Sequence, residues 1–169
     1  MQVSTDFLAT KGQRFIHYII DTAIQYGIGY LIGVVIGWMY LYFNIEAPYN
    51  WLMGLSGWED WLFSTSIAFF YYLLFEIFTQ RTMAKYITGT MILTNDGEKP
   101  TAGAIFKRSL CRLIPLDAFS YISADRPIGW HDSIPEVIVV NVKKYEEAVR
   151  LKNSFDEIGR EEADNDTLK

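Results

Sequence analysis

The chain holds one cysteine, Cys111, and two histidines, His17 and His131. A lone cysteine excludes an internal disulfide framework and a thiolate zinc cluster. Two histidines leave little for a histidine metal site, so neither metal nor cofactor is expected. Cys111 reads as a small packed residue. Glycine-rich phosphate loops are missing too, since neither GxxxxGK[ST] nor GxGxxG occurs. His131-Asp132 has the form of a catalytic dyad without a nucleophile, so a solvated or capping pair is expected there. No catalytic residue is assigned, and an enzyme is not expected. Basic residues are outnumbered 15 to 20, for a net charge of −5, which excludes a generic nucleic-acid binder as well as nucleic acid as a partner.

Charge is scarcest in two long apolar runs. Residues 15–43 carry one formal charge, Asp21, and as a helix they measure about 43 Å against a hydrocarbon core of about 30 Å. The run is too long for a signal peptide and lacks a small-residue cleavage site. Residues 61–78 carry only Glu76 and span about 27 Å. Trp58 and Trp61 at one end suit an aromatic belt. Both runs are apolar on nearly every face, so two antiparallel transmembrane helices are expected, with the lipid bilayer as partner.

The connecting loop, 44–60, holds none of the 15 basic residues. Lys11 and Arg14 precede the first span, and Arg81, Lys85, Lys99, Lys107, Arg108 and Arg112 follow the second. The positive-inside rule places both termini in the cytoplasm and the loop outside, in a multi-pass cytoplasmic-membrane protein.

Beyond the spans, 86–94 (YITGTMILT) and 136–142 (EVIVVNV) are rich in β-branched residues and predict two strands that pair with each other on the cytoplasmic side. Between them, 101–122 predicts an amphipathic helix lying in the inner interface. Phe106, Leu110, Leu113 and Ile114 form its apolar stripe, with Lys107, Arg108 and Arg112 on the surface among headgroups. A third crossing would bury these cations and Asp117 at high cost. The fold class is therefore a mainly α membrane protein with a small β pair. Residues 1–142 form the membrane domain, and 143–169 form a cytoplasmic helix that ends in a disordered acidic tail.

Arg14, His17, Asp21 and Gln25 share one helical face by their spacing of 3, 4 and 4. Asp21 lies about 10 Å along the axis from Arg14, and Glu76 about 7 Å in from Arg81. The two carboxylates therefore sit at similar depth. Arg14 or another cation is expected to neutralise Asp21, and Arg108 or Arg112 to reach Glu76. Intramembrane carboxylates mark either an ion or proton site or a structural network. Gly29, Gly33 and Gly37 form a small-xxx-small row suited to close approach by the second span or by another copy of the chain, so a homo-oligomer is expected.

These residues resemble the RDD family, named for an arginine and two aspartates. The resemblance rests on Arg14 and Asp21, YYLLFE (71–76), QRTMAKYITGTMILTNDGEKPT (80–101), KRSLCRLIP (107–115) and GWHDSIPEVIVV (129–140), and covers 11–142. It implies a bacterial or archaeal membrane module for which ion transport has been suggested, with Asp132 as a further family aspartate. The chain departs from the family pattern at two places. Ala84 precedes Lys85 where the family has glycine, and Pro135-Glu136-Val137 stand where it has Ala-Gly-Thr.

The leading functional expectation is transport of a monovalent cation or proton through an oligomer by a buried network of Arg14, His17, Asp21, Glu76, Arg108, Arg112 and Asp132. The alternative is a non-transporting scaffold or accessory subunit that recruits a partner on the cytoplasmic side.

Overall fold

The computed structural model describes residues 5–114 and 128–167. Helix α1 (Lys11–Phe43) starts at a capping box in which Thr10 and Gln13 satisfy each other's backbone amides. Asn44, in the left-handed region at φ 52°, ends it. A short α2 (Glu46–Met53) follows, inside what the sequence suggests is a plain loop. Helix α3 (Gly57–Thr79) starts at a second capping box, Ser56 with Glu59, and stops at Gln80 with φ 58°. Both long helices have the length and hydropathy to cross a membrane. Their outward faces carry Tyr26, Leu31, Val35, Trp38, Leu41, Phe70, Leu74 and Phe78, all at least half exposed. An apolar surface this extended belongs against lipid rather than water.

The left-handed turn at Gln80 sends the chain back toward α1 as α4 (Met83–Thr88), N-capped by Thr82. Gly89, at φ 63°, ends α4 and leads into β1 (Thr90–Thr94). The strand expected over 86–94 is thus shorter, because 86–88 complete a helical turn that the threonine cap initiates. Helix α5 (Ala102–Cys111) is followed by α6 (Trp130–Ser133), β2 (Val137–Asn141) and α7 (Val142–Thr167). Residues 115–122 of the expected third helix, with Asp117, lie outside the described residues. Helix α7 continues to Thr167, so the acidic run extends a helix up to that residue rather than forming a disordered tail.

The strands pair antiparallel, from Thr90 opposite Asn141 to Thr94 opposite Val137. The N-terminal segment joins them: Leu8 bridges Val140, and the Ala9 amide donates to the Val139 carbonyl at 2.8 Å. Ala9, Ile92, Val137 and Val139 pack on one side, and Leu93, Ile138 and Val140 with Phe7 and Tyr145 on the other. The segment before α1 and the start of α7 therefore lie at the same end of the α1/α3 hairpin, the sheet end. The opposite end, at α2, is the loop end.

Candidate functional site

The buried residues of α1 are Arg14, His17 and Asp21, and those of α3 are Tyr71, Tyr72 and Glu76. All six sit toward the sheet end and all carry polar groups. The shared face expected for Arg14, His17 and Asp21 is real, and it is the face that α4, α5 and α6 cover.

Asp21 is 2% exposed and is held by neutral donors. The Tyr71 hydroxyl donates to its Oδ1 at 2.7 Å, the Thr82 hydroxyl to Oδ2 at 2.8 Å, and the Ala84 amide to Oδ1 at 3.3 Å. Among the described residues, no cation pairs with Asp21. Arg14 does not pair with it, as the sequence had suggested, but with Asp132. The reason is geometric. Two turns of helix separate Arg14 from Asp21, and the returning α4 occupies both of the carboxylate's oxygens.

A continuous ion chain runs beside Asp21. Glu76 Oε1 takes Lys85 Nζ at 2.7 Å and Arg112 Nη2 at 3.3 Å. Arg108 bridges the two carboxylates, its Nε 3.2 Å from Glu76 Oε2 and its Nη1 2.7 Å from Asp132 Oδ1, at ion-pair distances but outside hydrogen-bond geometry. Asp132 Oδ2 then receives Arg14. The chain ties α1, α3, α4, α5 and α6 together, with Glu76, Arg108 and Asp132 fully buried. His17 Nε2 adds a link to the Thr88 and Thr90 hydroxyls at 2.6 and 3.1 Å.

Two expectations are corrected here. Arg108, assigned to the headgroup surface, is completely buried, whereas Phe106, Leu110 and Ile114 are each more than 40% exposed. Helix α5 buries Arg108 and Ser109 beside Ile105 and turns Phe106 and Leu110 outward, because the acids that Arg108 meets lie inside the bundle. Phe106 packs edge-on to Phe69 of α3, with ring centroids 5.7 Å apart. The His131-Asp132 pair is not solvated either: Asp132 has no exposure and His131 only 7%.

The electrostatics follow from this packing. Burial, only partly offset by Glu76, pushes the Lys85 ammonium down to about 8. Burial likewise lowers Arg108. Burial opposes the charged form of Arg112, yet the surrounding acidic groups, Glu76 foremost, outweigh it and raise its pKa. The Arg112 guanidinium lies 3.9 Å above the Tyr72 ring. Burial would raise Asp132, but Arg108 and Arg14 hold it well below the ordinary carboxylate value.

Lys85, Thr82 and Tyr71 belong to the site, although sequence reasoning did not assign them to it. The signal for Lys85 was its place three residues after a helix-capping threonine; what the sequence did not show was the reversal after Gln80 that carries it back to Glu76. The glycine row contributes little within the chain. A Cβ at Gly29 would meet Ile67 at 3.6 Å, whereas at Gly33 or Gly37 it would meet nothing within 4 Å. Among the described residues, no three His, Cys, Asp or Glu side chains gather as a metal set.

A cavity of about 170 Å³ opens beside the network, lined by Arg14, Asp21, Lys85, Arg108, Ser109 and Arg112 among others. Glu76 and Asp132 are not part of its wall, because the ion chain draws their oxygens away from it.

The glycine departure of the sequence has a structural counterpart. Glu136 adopts φ 57°, a left-handed conformation that glycine takes without strain. No curated protein and no solved structure matches the chain significantly. The sequence profile of the RDD family matches residues 8–140, a stretch that holds both long apolar helices, β1, all but the last residue of β2 and every member of the charge network, and the chain belongs to the RDD family.

Proposed function

We propose that this chain is a non-conducting membrane module that holds a positively lined chamber in the cytoplasmic half of the bilayer and serves as a binding or accessory unit. One observation carries the reading. Among the described residues, two of the three buried carboxylates are consumed by ion pairs, and the cavity wall presents four cations, Arg14, Lys85, Arg108 and Arg112, against the single carboxylate Asp21. A cation or proton path needs acidic groups facing a wet cavity, and a wall of this sign repels cations. The outward apolar face of α5 supports its insertion into the inner leaflet beside α3, with Arg108 and Arg112 turned away from lipid.

The rival reading, transport of a monovalent cation or proton through an oligomer, has one observation in its favour: Asp21 faces the cavity without a cationic partner. Proteoliposome flux separates the two. The expected result is no Na⁺, K⁺ or proton flux above that of empty vesicles. Flux that Asp21→Asn abolishes would establish transport instead. Orientation is checked by Asn50→Cys in a Cys111→Ser background, which should react with an impermeant thiol reagent in intact cells, since positive residues flank the spans only at the sheet end.

A further inference from the structure

Leaving aside Arg108, whose nitrogens sit at ion-pair distance from Glu76 and Asp132, five buried polar atoms on the cavity-lining side chains have no hydrogen-bond partner among the described residues: Arg14 Nε and Nη2, Gln25 Nε2, Arg112 Nε and Ser109 Oγ. Arg14 is 5% exposed and Ser109 not at all. Buried donors left unpaired are costly, and native proteins retain few of them without a reason. We propose that this cavity binds a phosphate-class oxyanion, with Arg14, Ser109 and Arg112 as its donors. The inference rests on the reading of the chamber as a positively lined binding site.

The chemistry selects the ligand class. A guanidinium or amide nitrogen only donates, so four of the five atoms require an acceptor. A metal cation would face these same N–H groups. Water would satisfy donors one at a time but would leave the excess positive charge of the wall uncompensated. An oxyanion offers several acceptor oxygens, compensates that charge, and matches the planar fork of arginine. At about 170 Å³, the cavity is many times the roughly 10–15 Å³ that one water needs. Tyr18, Thr22, Gln25 and Ala68 also line a neighbouring cavity of about 560 Å³ between α1 and α3. A phosphate carried on a lipid therefore has a lateral slot for its chain, and free phosphate is the other source of the same chemistry.

The test is thermal unfolding of the full chain in two arms. In neutral detergent, inorganic phosphate is titrated against chloride at matched ionic strength. In phosphatidylcholine nanodiscs, phosphatidic acid is added at increasing fraction. A saturable rise in Tm with phosphate identifies a free-anion site, and a rise in the lipid arm alone identifies a headgroup site. Arg14 variants lose the Asp132 pairing, so Ser109→Ala is the informative substitution. Among the described residues the Ser109 hydroxyl has no partner, so the substitution should not lower the unliganded Tm, and it should weaken apparent affinity about tenfold. No saturable shift in either arm, a shift that chloride reproduces, or one that Ser109→Ala leaves intact would each overturn the proposal. None of these readouts depends on flux, so failure here is distinct from failure of the non-conducting reading.

Discussion

The sheet end and the loop end of the α1/α3 hairpin are held by different means. At the sheet end, every buried side chain of the two spans is polar or a tyrosine, and the packing is fastened by ion pairs and hydrogen bonds. At the loop end, α2 is fastened to each span by aromatic contacts, Tyr49 stacked on Tyr40 of α1 at 4.4 Å and Trp51 edge-on to Phe63 of α3 at 5.6 Å. The glycines there are not closely packed within the chain. The contrast follows from the solvent. Lipid tails are as apolar as leucine, so helices gain nothing hydrophobic by meeting, while a polar group left alone in hydrocarbon is penalised. In this chain, specificity between the spans is concentrated where the charges are.

The most severe way to break that contrast is to remove the acid at the centre of the ion chain. Glu76→Gln leaves Lys85, Arg108 and Arg112 buried without their shared counter-ion, and should cost about 3–5 kcal/mol in reversible unfolding from detergent. A loss below about 1 kcal/mol would mean that the sheet end is wet. Next, a double-mutant cycle should find Arg14→Gln and Asp132→Asn coupled by about 1–3 kcal/mol, with Arg14→Gln and Asp21→Asn additive. Coupling to Asp21 instead would restore the arrangement suggested by the sequence.

The pH dependence sharpens the same point. Asp132 has a folded pKa well below its ordinary 3.8. Its contribution is present above that value and is lost as pH falls from 3.8 toward the folded value. Asp132→Asn should remove that part of the acid loss. Lys85 behaves oppositely, pushed from 10.5 down to about 8. Its burial penalty is fully present below pH 8 and is relieved as pH rises from 8 to 10.5, an alkaline gain that Lys85→Met should erase.

Smaller effects are expected away from the network. Glu136→Gly relieves a left-handed non-glycine residue and should stabilise by up to about 1 kcal/mol; a loss would show that the Glu136 side chain has a role the geometry does not reveal. At the loop end, Gly33→Leu meets open space and should shift stability by less than about 0.5 kcal/mol. A large loss of cross-linked dimer with that variant would show that the row packs against a second copy.

Much of the fold is legible from local sequence. Hydropathy and length mark both spans, and β-branched runs mark the two strands, because these signals depend on neighbours along the chain. Membership of Arg14, His17, Asp21 and Glu76 in a buried cluster is legible as well, since a charge inside an apolar run must find a partner. The partners themselves are not. Lys85 reaches Glu76 only because Gln80 turns left-handed and Thr82 caps a helix that folds back. Arg108 faces inward only because the acids on α3 and α6 converge on one side of α5.

The sequence by itself determined that two long helices avoid water, that the basic residues gather beyond one end of them, and that a few charges inside apolar runs require company. Tertiary structure alone decided which charge meets which: Asp132 rather than Asp21 for Arg14, Glu76 for Lys85 and Arg112, and Arg108 between the two acids. The reason is that burial is settled element by element along the chain, whereas an ion pair is settled by a few ångströms between groups that here lie from 9 to 118 residues apart.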